Sequence, residues 1–425
     1  MYLFYNIVFS ILCIVALPYL FIRGIFGRHG VLQRLGKFPQ SIRELAQKGN
    51  LIWIHAASVG EVKALGPLVD AIKSYNPNYR IILSNTTKTG KKQAEKILKN
   101  VDGFIFAPVD LPWVVQHVAK TLNPKILILI ETELWPNMIR KAKENGAVVS
   151  LVNGRISPRS YKRYLYFKSL CQAVLEYVDL FCMQTEEDVN RIKTIGANSN
   201  KIVITGNLKF EAFLWQKVEK RFTKEGLKLS PDLRLLVAGS TRPGEEEIIL
   251  EAYQKLKEKF PKLLLILAPR HLKRLREIEE LLIQRRFSYV RKSKWLKKSD
   301  QNKVPQVLIL DSMGELAEVY GLADLAFVGG SLVPLGGHNP LEPAIYGVPV
   351  LFGPHIEHFR KAAEILIGTQ AAVQVRNSHE FFDSALKLLN NNGDPNILAQ
   401  KVKTAIQANS GTAQSSIKEI FKLVK

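Results

Sequence analysis

The stretch "LIWIHAASVGEVKALGPLV", residues Leu51–Val69, indicates the fold of this protein. Its apolar start, Leu51–Ile54, predicts a buried strand, and a helical pattern begins near Glu61 after a turn of small residues. Ser58 and Glu61 are three residues apart, the spacing of a capping box in which each side chain binds a free amide at the helix start. Glu61 is therefore either a helix cap or a carboxylate directed at a substrate, and this stretch alone leaves both readings open.

The same strand-then-helix pattern recurs along the chain in two sets, which the charged segment Phe210–Leu233 separates. The predicted strands of the first set are "LIWIHA", "YRIILSN", "GFIFAPV", "KILILIET", "AVVSLVN", "LFCMQT" and "KIVITGN". Those of the second set are "LRLLVAGS", "KLLLILAPR", "FSYVRKS", "QVLILDS", "LAFVGGS" and "VPVLFGP". Short apolar strands that alternate with helices predict parallel sheets with right-handed crossovers.

We therefore predict an α/β protein with two Rossmann-like, doubly wound domains that face a cleft, an architecture that resembles the GT-B glycosyltransferases. The predicted boundaries are an N-terminal membrane-anchor helix over 1–25, a first domain over 26–215, a linker over 216–232 and a second domain with C-terminal helices over 233–425. In such sheets ligands bind beyond the carboxyl ends of strands.

Composition narrows the classes of partner. The chain has 425 residues, 60 Lys and Arg against 38 Asp and Glu, and a formal net charge of +22. Such a charge attracts nucleic acid, acidic lipid or phosphorylated substrates. No zinc finger, RRM signature or basic heptad helix is present, so we expect no nucleic-acid partner. Three cysteines without a C-x-x-C pair argue against zinc and favour a reducing compartment.

The amino terminus predicts a membrane anchor. Met1–Ile22 contains no charged side chain, and 22 residues at helical rise span about 33 Å, enough for a bilayer core. Cations follow directly at Arg23 and Arg28, which places the body of the protein in the cytoplasm by the positive-inside rule. A cleaved signal peptide is the competing interpretation, but basic residues at the start and a clear cleavage site are lacking. We predict an uncleaved anchor that either spans the membrane or lies in one leaflet.

Two loops of the second domain have the pattern of a nucleotide site. Ser312 and Glu315 form another S-x-x-E box, which either caps a helix or presents amides to an anion. Asn339 is a predicted N-cap after a pair of glycines, with Pro340 in the first helical position and Glu342 at N3. The Glu342 carboxylate either completes a cap or accepts the hydroxyls of a ribose.

Charged residues follow several other predicted strands. Arg270, after Pro269 at a strand end, can bind a phosphate with two hydrogen bonds. In the first domain Glu131 and Glu133 follow an apolar strand, and Lys209 follows another. The two carboxylates bind a partner cation or a sugar, or else they and Lys209 form a buried ion pair between the sheet ends. Neither a P-loop nor a G-x-G-x-x-G after the first strand is present, which disfavours ATP hydrolysis and hydride transfer.

Eight motifs together carry a family resemblance. They are "HAASVGE", "ETELWPN", "VNGRIS", "TGNLKF", "APRH", "MGEL", "ADLAFVGGSL" and "GGHNPLEPA". In this order, from about Arg34 to the carboxyl end, the chain resembles the 3-deoxy-D-manno-oct-2-ulosonic acid (Kdo) transferases of lipopolysaccharide and lipid A assembly.

The resemblance implies a GT-B glycosyltransferase that moves Kdo from CMP-Kdo to a lipid A precursor, lipid IVA, with inversion and with neither a metal nor a cofactor. It gives the acceptor to the first domain and the CMP-sugar donor to the second. It also implies an anionic membrane surface as a partner and a location at the inner membrane, with one N-terminal anchor and the catalytic body on the cytoplasmic side.

The resemblance carries roles onto matching residues. Glu61 matches the proton acceptor, and Glu131 and Lys209 match the residues that stabilise the transition state. The residues that match CMP contacts are Pro269, Arg270, Met313, Gly314, Glu315, Asn339, Pro340, Leu341 and Glu342. Arg242 stands where relatives more often have a histidine, and it receives no role.

Two other functions stay open at this point. One is another GT-B enzyme that uses a UDP-sugar, either a transferase of lipid-linked sugars or a related sugar epimerase, which UDP binding would indicate. The other is a non-catalytic lipid-binding protein of the membrane surface, which would bind no cytidine nucleotide.

Overall fold

A computed structural model describes residues 2–25, 30–215, 222–297, 304–357, 359–391 and 393–424, apart from the side chains of 16–25. The chain forms two compact units, one of Met1–Gln216 with Asn409–Lys425 and one of Lys217–Ala408. The predicted linker over 216–232 lies partly outside the described residues.

The strands are β1 (Leu51–Ala56), β2 (Arg80–Asn85), β3 (Gly103–Phe106), β4 (Ile126–Ile130), β5 (Val148–Gly154), β6 (Leu180–Met183), β7 (Ile202–Ile204), β8 (Arg234–Thr241), β9 (Leu263–Pro269), β10 (Tyr289–Arg291), β11 (Val307–Ile309), β12 (Leu325–Val328), β13 (Val350–Phe352) and β14 (Ala372–Gln374).

The helices are α1 (Tyr2–Ile25), α2 (Val31–Arg34), α3 (Gln40–Gln47), α4 (Val59–Ala64), α5 (Gly66–Tyr75), α6 (Lys88–Ile97), α7 (Pro112–Leu122), α8 (Pro136–Glu144), α9 (Pro158–Tyr166), α10 (Lys168–Leu175), α11 (Glu186–Ile195), α12 (Leu208–Trp215), α13 (Glu245–Lys259), α14 (Leu275–Gln284), α15 (Lys292–Trp295), α16 (Leu316–Tyr320), α17 (Leu341–Ala344), α18 (Arg360–Gly368), α19 (Ser378–Asn390), α20 (Pro395–Ala408) and α21 (Thr412–Phe421).

The first unit has a parallel sheet in the order β3-β2-β1-β4-β5-β6-β7. Successive residues of β1 enter different apolar clusters, Trp53 one and Ile52 and Ile54 the other, so both faces of the sheet are covered. The strand order reverses between β1 and β4. Ligands of doubly wound sheets bind at such a switch point.

The second unit has a parallel sheet in the order β10-β11-β9-β8-β12-β13-β14, with its switch point between β8 and β12. The two parallel sheets confirm the predicted α/β class, and every predicted strand overlaps one of β1 to β13. Strand β14, at the edge of the sheet, was not predicted; only Ala372 of its three residues is buried.

The carboxyl terminus departs from the predicted domain boundary. Residues 409–425 were assigned to the second domain, but they belong to the first unit. The reason is apolar burial: Ile417, Ile420 and Phe421 of α21 enter the core cluster that contains β1 and α5. The ring of Phe421 also stacks on Tyr75 at a centroid distance of 4.2 Å.

Helix α1 contacts the first unit through one face. The Tyr5 hydroxyl donates to Asp110 Oδ2 at 2.9 Å, and the side-chain amide of Asn137 donates to Asn6 Oδ1 at 2.8 Å. Phe9 packs against the core. Large apolar side chains of the opposite face are exposed, namely Leu3, Phe4, Ile7, Val8, Ile11, Leu12, Ile14 and Val15.

The predicted anchor over 1–25 lies partly outside the described residues. Among the residues that are described, none of the helices combines the length and the apolar character that a membrane span requires.

Candidate active site

Glu61 lies in the first turn of α4, directly after β1. Ser58 is the N-cap, and its hydroxyl oxygen accepts the Glu61 amide at 3.3 Å. The Glu61 carboxylate in turn accepts the Ser58 hydroxyl at 2.6 Å and the Ala57 amide at 2.7 Å. The predicted capping interaction is therefore confirmed, and it fixes the carboxylate in one position.

The protonation of Glu61 is set mainly by burial, since the residue is only 7% exposed. Loss of solvent raises the pKa of the Glu61 carboxyl to about 7, against the hydrogen bonds from Ser58 and Ala57, which lower it. The nearby carboxylates of Glu131 and Glu133 raise the pKa further. A carboxylate with a pKa near neutrality has the basicity that a general base needs.

Glu131 follows β4, the strand beside β1 at the switch point of the sheet. Its backbone is left-handed, with φ of 58°, a conformation that costs a glutamate about 1–3 kcal/mol. Its Oε1 lies 2.8 Å from Lys209 Nζ, and both side chains are partly exposed. Of the alternatives that the sequence left open for these two residues, the structure contains an ion pair, but one that reaches solvent.

A residue of β5, Asn153, helps to position Lys209. The Asn153 side chain, whose backbone is also left-handed, accepts the Leu208 amide at 3.1 Å. The Lys209 amide donates to Asn207 Oδ1 at 2.9 Å. These contacts fix the turn into α12 and place the lysine opposite Glu131.

Glu133, which the sequence named as a candidate, and His55, to which it assigned no role, complete this edge of the sheet. The Trp135 indole donates to Glu133 Oε2 at 2.9 Å, and burial raises the pKa of the Glu133 carboxyl. His55, fully buried in β1, has its Nδ1 2.9 Å from the Ser84 hydroxyl oxygen. Its Nε2 has no hydrogen-bond partner in the described structure and lies 4.0 Å from Glu133 Oε2. The sequence feature that could have pointed to His55 is that it is a histidine within an otherwise apolar strand.

Arg270 lies at the end of β9 in the second unit. Its amide donates to the Thr241 carbonyl at 3.1 Å, since Thr241 and Pro269 are partners in the register of β8 and β9. The Arg270 side chain is exposed at this edge of the sheet. The position fits the predicted contact with a phosphate.

The predicted helix start at Ser312 and Glu315 differs in the structure. Helix α16 begins only at Leu316, with Glu315 as its N-cap, because Gly314 adopts φ of 88° and interrupts the helical backbone. The Glu315 carboxylate contacts the Ser312 hydroxyl and pairs with Lys292 Nζ at 2.7 Å. Met313 and Gly314 therefore lie in a bend before the helix, and their contact with CMP stays a prediction.

The last predicted loop is shifted by one residue. Helix α17 begins at Leu341 with Pro340 as its N-cap, whereas Asn339 was the predicted cap. The Asn339 side chain nevertheless accepts the Leu341 amide at 3.0 Å. Leu341 is buried and Glu342 is half-buried, so Glu342 is the more accessible of the two to a ligand.

A buried carboxylate that the sequence missed connects two loops at the switch point of the second sheet. Glu245, at the start of α13, accepts the amides of Gly330, Ser331 and Leu332 at 2.7 to 2.9 Å, and that of Arg242 at 2.9 Å. It thereby joins the loops that follow β8 and β12, on either side of the switch point of the second sheet.

The glycine-rich loop before Asn339 is hydrogen-bonded to the backbone of Gly329 and Gly330. The Gly337 amide donates to the Gly330 carbonyl at 2.8 Å, and the His338 amide donates to the Gly329 carbonyl at 3.1 Å. Gly337 has φ of 72°, and a Cβ there would lie 2.9 Å from the His355 carbonyl oxygen. A glycine is therefore required where the chain turns toward Asn339.

Comparison with known proteins gives one family. The family model described as 3-deoxy-D-manno-octulosonic-acid transferase (kdotransferase) matches residues 29–212, the part that contains Glu61, Glu131 and Lys209. The 3-deoxy-D-manno-octulosonic acid transferase of Haemophilus influenzae is 35% identical, over 80% of this chain and 79% of that protein.

A second relative is longer. The bifunctional glycosyltransferase/methyltransferase of Fusobacterium nucleatum is 39% identical over 78% of this chain, which spans about half (51%) of that protein. Among solved structures, UDP-GlcNAc 2-epimerase from Neisseria meningitidis matches 88% of this chain and 99% of its own, with a TM-score of 0.61 and 14% identity. At that identity the likeness concerns the fold alone, and this fold is the one expected of a GT-B protein.

Proposed function

The chain belongs to the 3-deoxy-D-manno-octulosonic acid (Kdo) transferase family, and from this premise we propose that it moves Kdo from CMP-Kdo to a lipid A precursor, lipid IVA, with inversion at the sugar carbon. The observation that carries the proposal is Glu61. It is a buried carboxylate with a pKa of about 7, fixed at the switch point of the first sheet, within the part of the chain that matches the family.

In this proposal Glu61 is the general base. An acceptor hydroxyl attacks the anomeric carbon of Kdo, the bond from that carbon to the CMP phosphate oxygen breaks, and Glu61 takes the hydroxyl proton. The hydrogen bonds from Ser58 and Ala57 hold the carboxylate in position. Its orientation is therefore set before the substrate binds, which lowers the entropic cost of the reaction.

Glu131 and Lys209 support the same step. Positive charge develops on the sugar in a glycosyl-transfer transition state, and a nearby carboxylate stabilises it. Lys209, 2.8 Å from Glu131, offsets the repulsion that three neighbouring carboxylates would otherwise produce.

The second unit would bind the donor. Arg270 contacts the CMP phosphate and stabilises its charge as it leaves, and Pro269 ends the strand that presents this arginine. The loops that contain Gly314 and Asn339 contribute backbone and side-chain contacts, and Glu342 accepts ribose hydroxyls. Glu245 orders the loop after β12, which leads to Asn339, and this supports the assignment of that loop.

We also propose attachment to the cytoplasmic face of the inner membrane. The exposed apolar face of α1 and the net charge of +22 fit an anionic lipid surface. Because the opposite face of α1 is bonded to the first unit through Tyr5 and Asn6, this geometry favours an anchor that lies in one leaflet over one that crosses the bilayer.

Two measurements test the proposal. Thermal unfolding with CMP or UDP identifies the donor: stabilisation by CMP alone is expected, and stabilisation by UDP alone would favour a UDP-sugar transferase. Incubation with CMP-Kdo and lipid IVA should yield lipid whose mass increases by Kdo. A protein that bound neither nucleotide and left the lipid unchanged would instead be a non-catalytic lipid-binding protein.

A further inference from the structure

A pair of side chains without an assigned role lies at the edge of the second sheet. Arg242 follows β8 and His271 follows β9, strands that are paired up to Thr241 and Pro269. This pairing brings Arg242 Nη1 to 2.8 Å from His271 Nε2. Arg270, the predicted phosphate ligand, is the neighbour of His271 in the chain.

The hydrogen bond between Arg242 and His271 defines the protonation state of the His271 imidazole. A guanidinium group has only donors, so His271 Nε2 must accept with its lone pair, and the ring is neutral with its proton on Nδ1. Desolvation and the charges of nearby cations, Arg242 and Arg270 first, lower the pKa of His271, which agrees with the neutral form. His271 therefore orients Arg242 without neutralising its charge.

The positive charges of Arg242 and Arg270 are not neutralised by nearby carboxylates, unlike that of Arg274. Arg274 pairs with Glu246 at 2.8 Å and with Glu277 at 2.7 Å. Within the described part of the chain, by contrast, no carboxylate lies within ion-pair distance of Arg242 or Arg270, as the ion pairs of the second unit involve other residues.

Glu245, three residues after Arg242, does not neutralise the charge of the Arg242 guanidinium either. Its oxygens accept backbone amides, including that of Arg242 itself, and not the guanidinium. The buried Arg242 Nε has no hydrogen-bond partner in the described structure, and His271 takes only one of the five N–H donors of the group. Arg242 thus has donors left for an anion, and it follows the strand that is paired with the one that ends before Arg270.

The donor of the proposed function carries two anionic groups on one carbon. The anomeric carbon of an activated 2-keto sugar acid bears both the phosphate oxygen and the sugar carboxylate. A phosphate held by Arg270 therefore leaves a carboxylate within a few bonds of it, and a planar guanidinium fork matches a carboxylate with two parallel hydrogen bonds.

We propose that Arg242, oriented by His271, binds the carboxylate of the sugar in the CMP-linked donor, while Arg270 binds the phosphate. Arg242 then selects an acidic sugar over a neutral one, since a neutral sugar would leave the guanidinium without its anion. This inference rests on the proposed function and extends it from the nucleotide to the sugar.

Calorimetric titration of the full chain with two ligands tests it. One ligand is CMP, which has the phosphate without the sugar; the other is a non-transferable phosphonate analogue of CMP-Kdo, in which CH₂ replaces the oxygen between the anomeric carbon and phosphorus, so that both anions are kept. The variants are Arg242→Ala, Arg242→Lys and Arg270→Ala, with Arg276→Ala as the matched control because Arg276 is an exposed arginine of α14.

Arg242→Ala should weaken binding of the analogue by roughly 10- to 100-fold and leave CMP binding within about twofold, because only the carboxylate contact is lost. Arg242→Lys should recover part of the affinity, since it keeps the charge without the fork. Arg270→Ala should weaken both ligands, and Arg276→Ala neither.

Two results would overturn the inference alone: an equal loss of CMP and analogue affinity in Arg242→Ala, which would put Arg242 on the phosphate, or unchanged affinity for both. A wild-type chain that bound neither ligand would overturn the proposed function and this inference with it. Unfolding midpoints of the variants, expected to match the wild type, exclude misfolding as the cause.

Discussion

At the scale of single residues, Glu61 is a helix cap and, in the proposed function, also the general base. A helix start lowers the pKa of a carboxyl group, and so do the hydrogen bonds from Ser58 and Ala57. Burial acts in the opposite direction and outweighs them, so that the pKa is about 7. The capping contacts fix the carboxylate in place, and burial makes it basic enough to accept a proton.

The pH dependence of the reaction follows from this pKa. The pKa of Glu61 is raised, so the carboxyl group is protonated and inactive as a base below about pH 7 and ionised above it. The turnover number should therefore rise about tenfold per pH unit below pH 7 and level off above it. Initial rates at saturating substrates between about pH 5 and pH 9 measure this, and a rate that is flat across neutrality would contradict it.

What the sequence revealed at this scale depended on distance along the chain. Ser58 and Glu61 are local neighbours, so their cap was predictable from spacing. Glu245 contacts Ser331, and His55 lies near Glu133, only because the folded sheets bring distant segments together. No spacing rule predicts those contacts, so Glu245 and His55 were missed.

At the scale of elements, Glu245 connects the start of α13 to the loop after β12. Its substitution by glutamine keeps the shape but exchanges one acceptor oxygen for an NH₂ group, which faces buried amides of Gly330 to Leu332. An unsatisfied buried donor costs about 1–3 kcal/mol. Glu245→Gln should therefore lower the free energy of unfolding by that amount and weaken CMP binding.

Glu247→Gln is the matched control, because Glu247 is exposed on the same helix. Urea denaturation and CMP titration of both variants compare them. Equal unfolding free energies would show that the four amide contacts do not stabilise the loop.

Helix α1 is attached to α8 through a buried carboxylate. Asp110 accepts the Tyr5 hydroxyl at 2.9 Å and the amides of Asn137 and Met138 at 3.0 and 2.8 Å. Tyr5→Phe removes one donor to this carboxylate and should lower the free energy of unfolding by about 1.5–3 kcal/mol. Tyr166→Phe, at an exposed tyrosine, should change it little. Indistinguishable denaturation curves for the two variants would contradict the attachment.

Elements were predictable where the apolar pattern was long. Both parallel sheets followed from apolar runs, whereas β14, in which only Ala372 is buried, was missed. The start of α16 was displaced by the left-handed Gly314, a backbone feature that a capping motif does not reveal. The position of α21 in the first unit depends on tertiary burial of Ile417 and Phe421, and the order of segments alone suggested the wrong domain.

At the scale of the whole molecule, the net charge and the exposed face of α1 predict binding to acidic lipid. The protein should sediment with vesicles that contain anionic lipid and less with neutral vesicles, and salt should weaken the binding. The double variant Ile7→Glu, Ile11→Glu places charge on the exposed apolar face and should reduce sedimentation strongly.

The matched control is Ile283→Glu with Ile397→Glu, two exposed isoleucines of the second unit. This pair adds the same charge and should leave vesicle binding close to that of the wild type. If both double variants sedimented alike, the attachment would lie elsewhere than on α1.

The family assignment and the site geometry converge on Glu61, so the rate of Kdo transfer by Glu61→Gln tests the account most directly. The assay follows lipid products from CMP-Kdo and lipid IVA by mass, with Asp188→Asn as control, because Asp188 caps α11 in the same way with Thr185 but lies after β6, away from the switch point. Glutamine keeps the cap but cannot accept the proton. We predict a rate lower by roughly 10²–10⁴ for Glu61→Gln, with CMP affinity and unfolding unchanged, and a near-normal rate for the control. A Glu61→Gln protein that transfers Kdo at the wild-type rate would contradict the account.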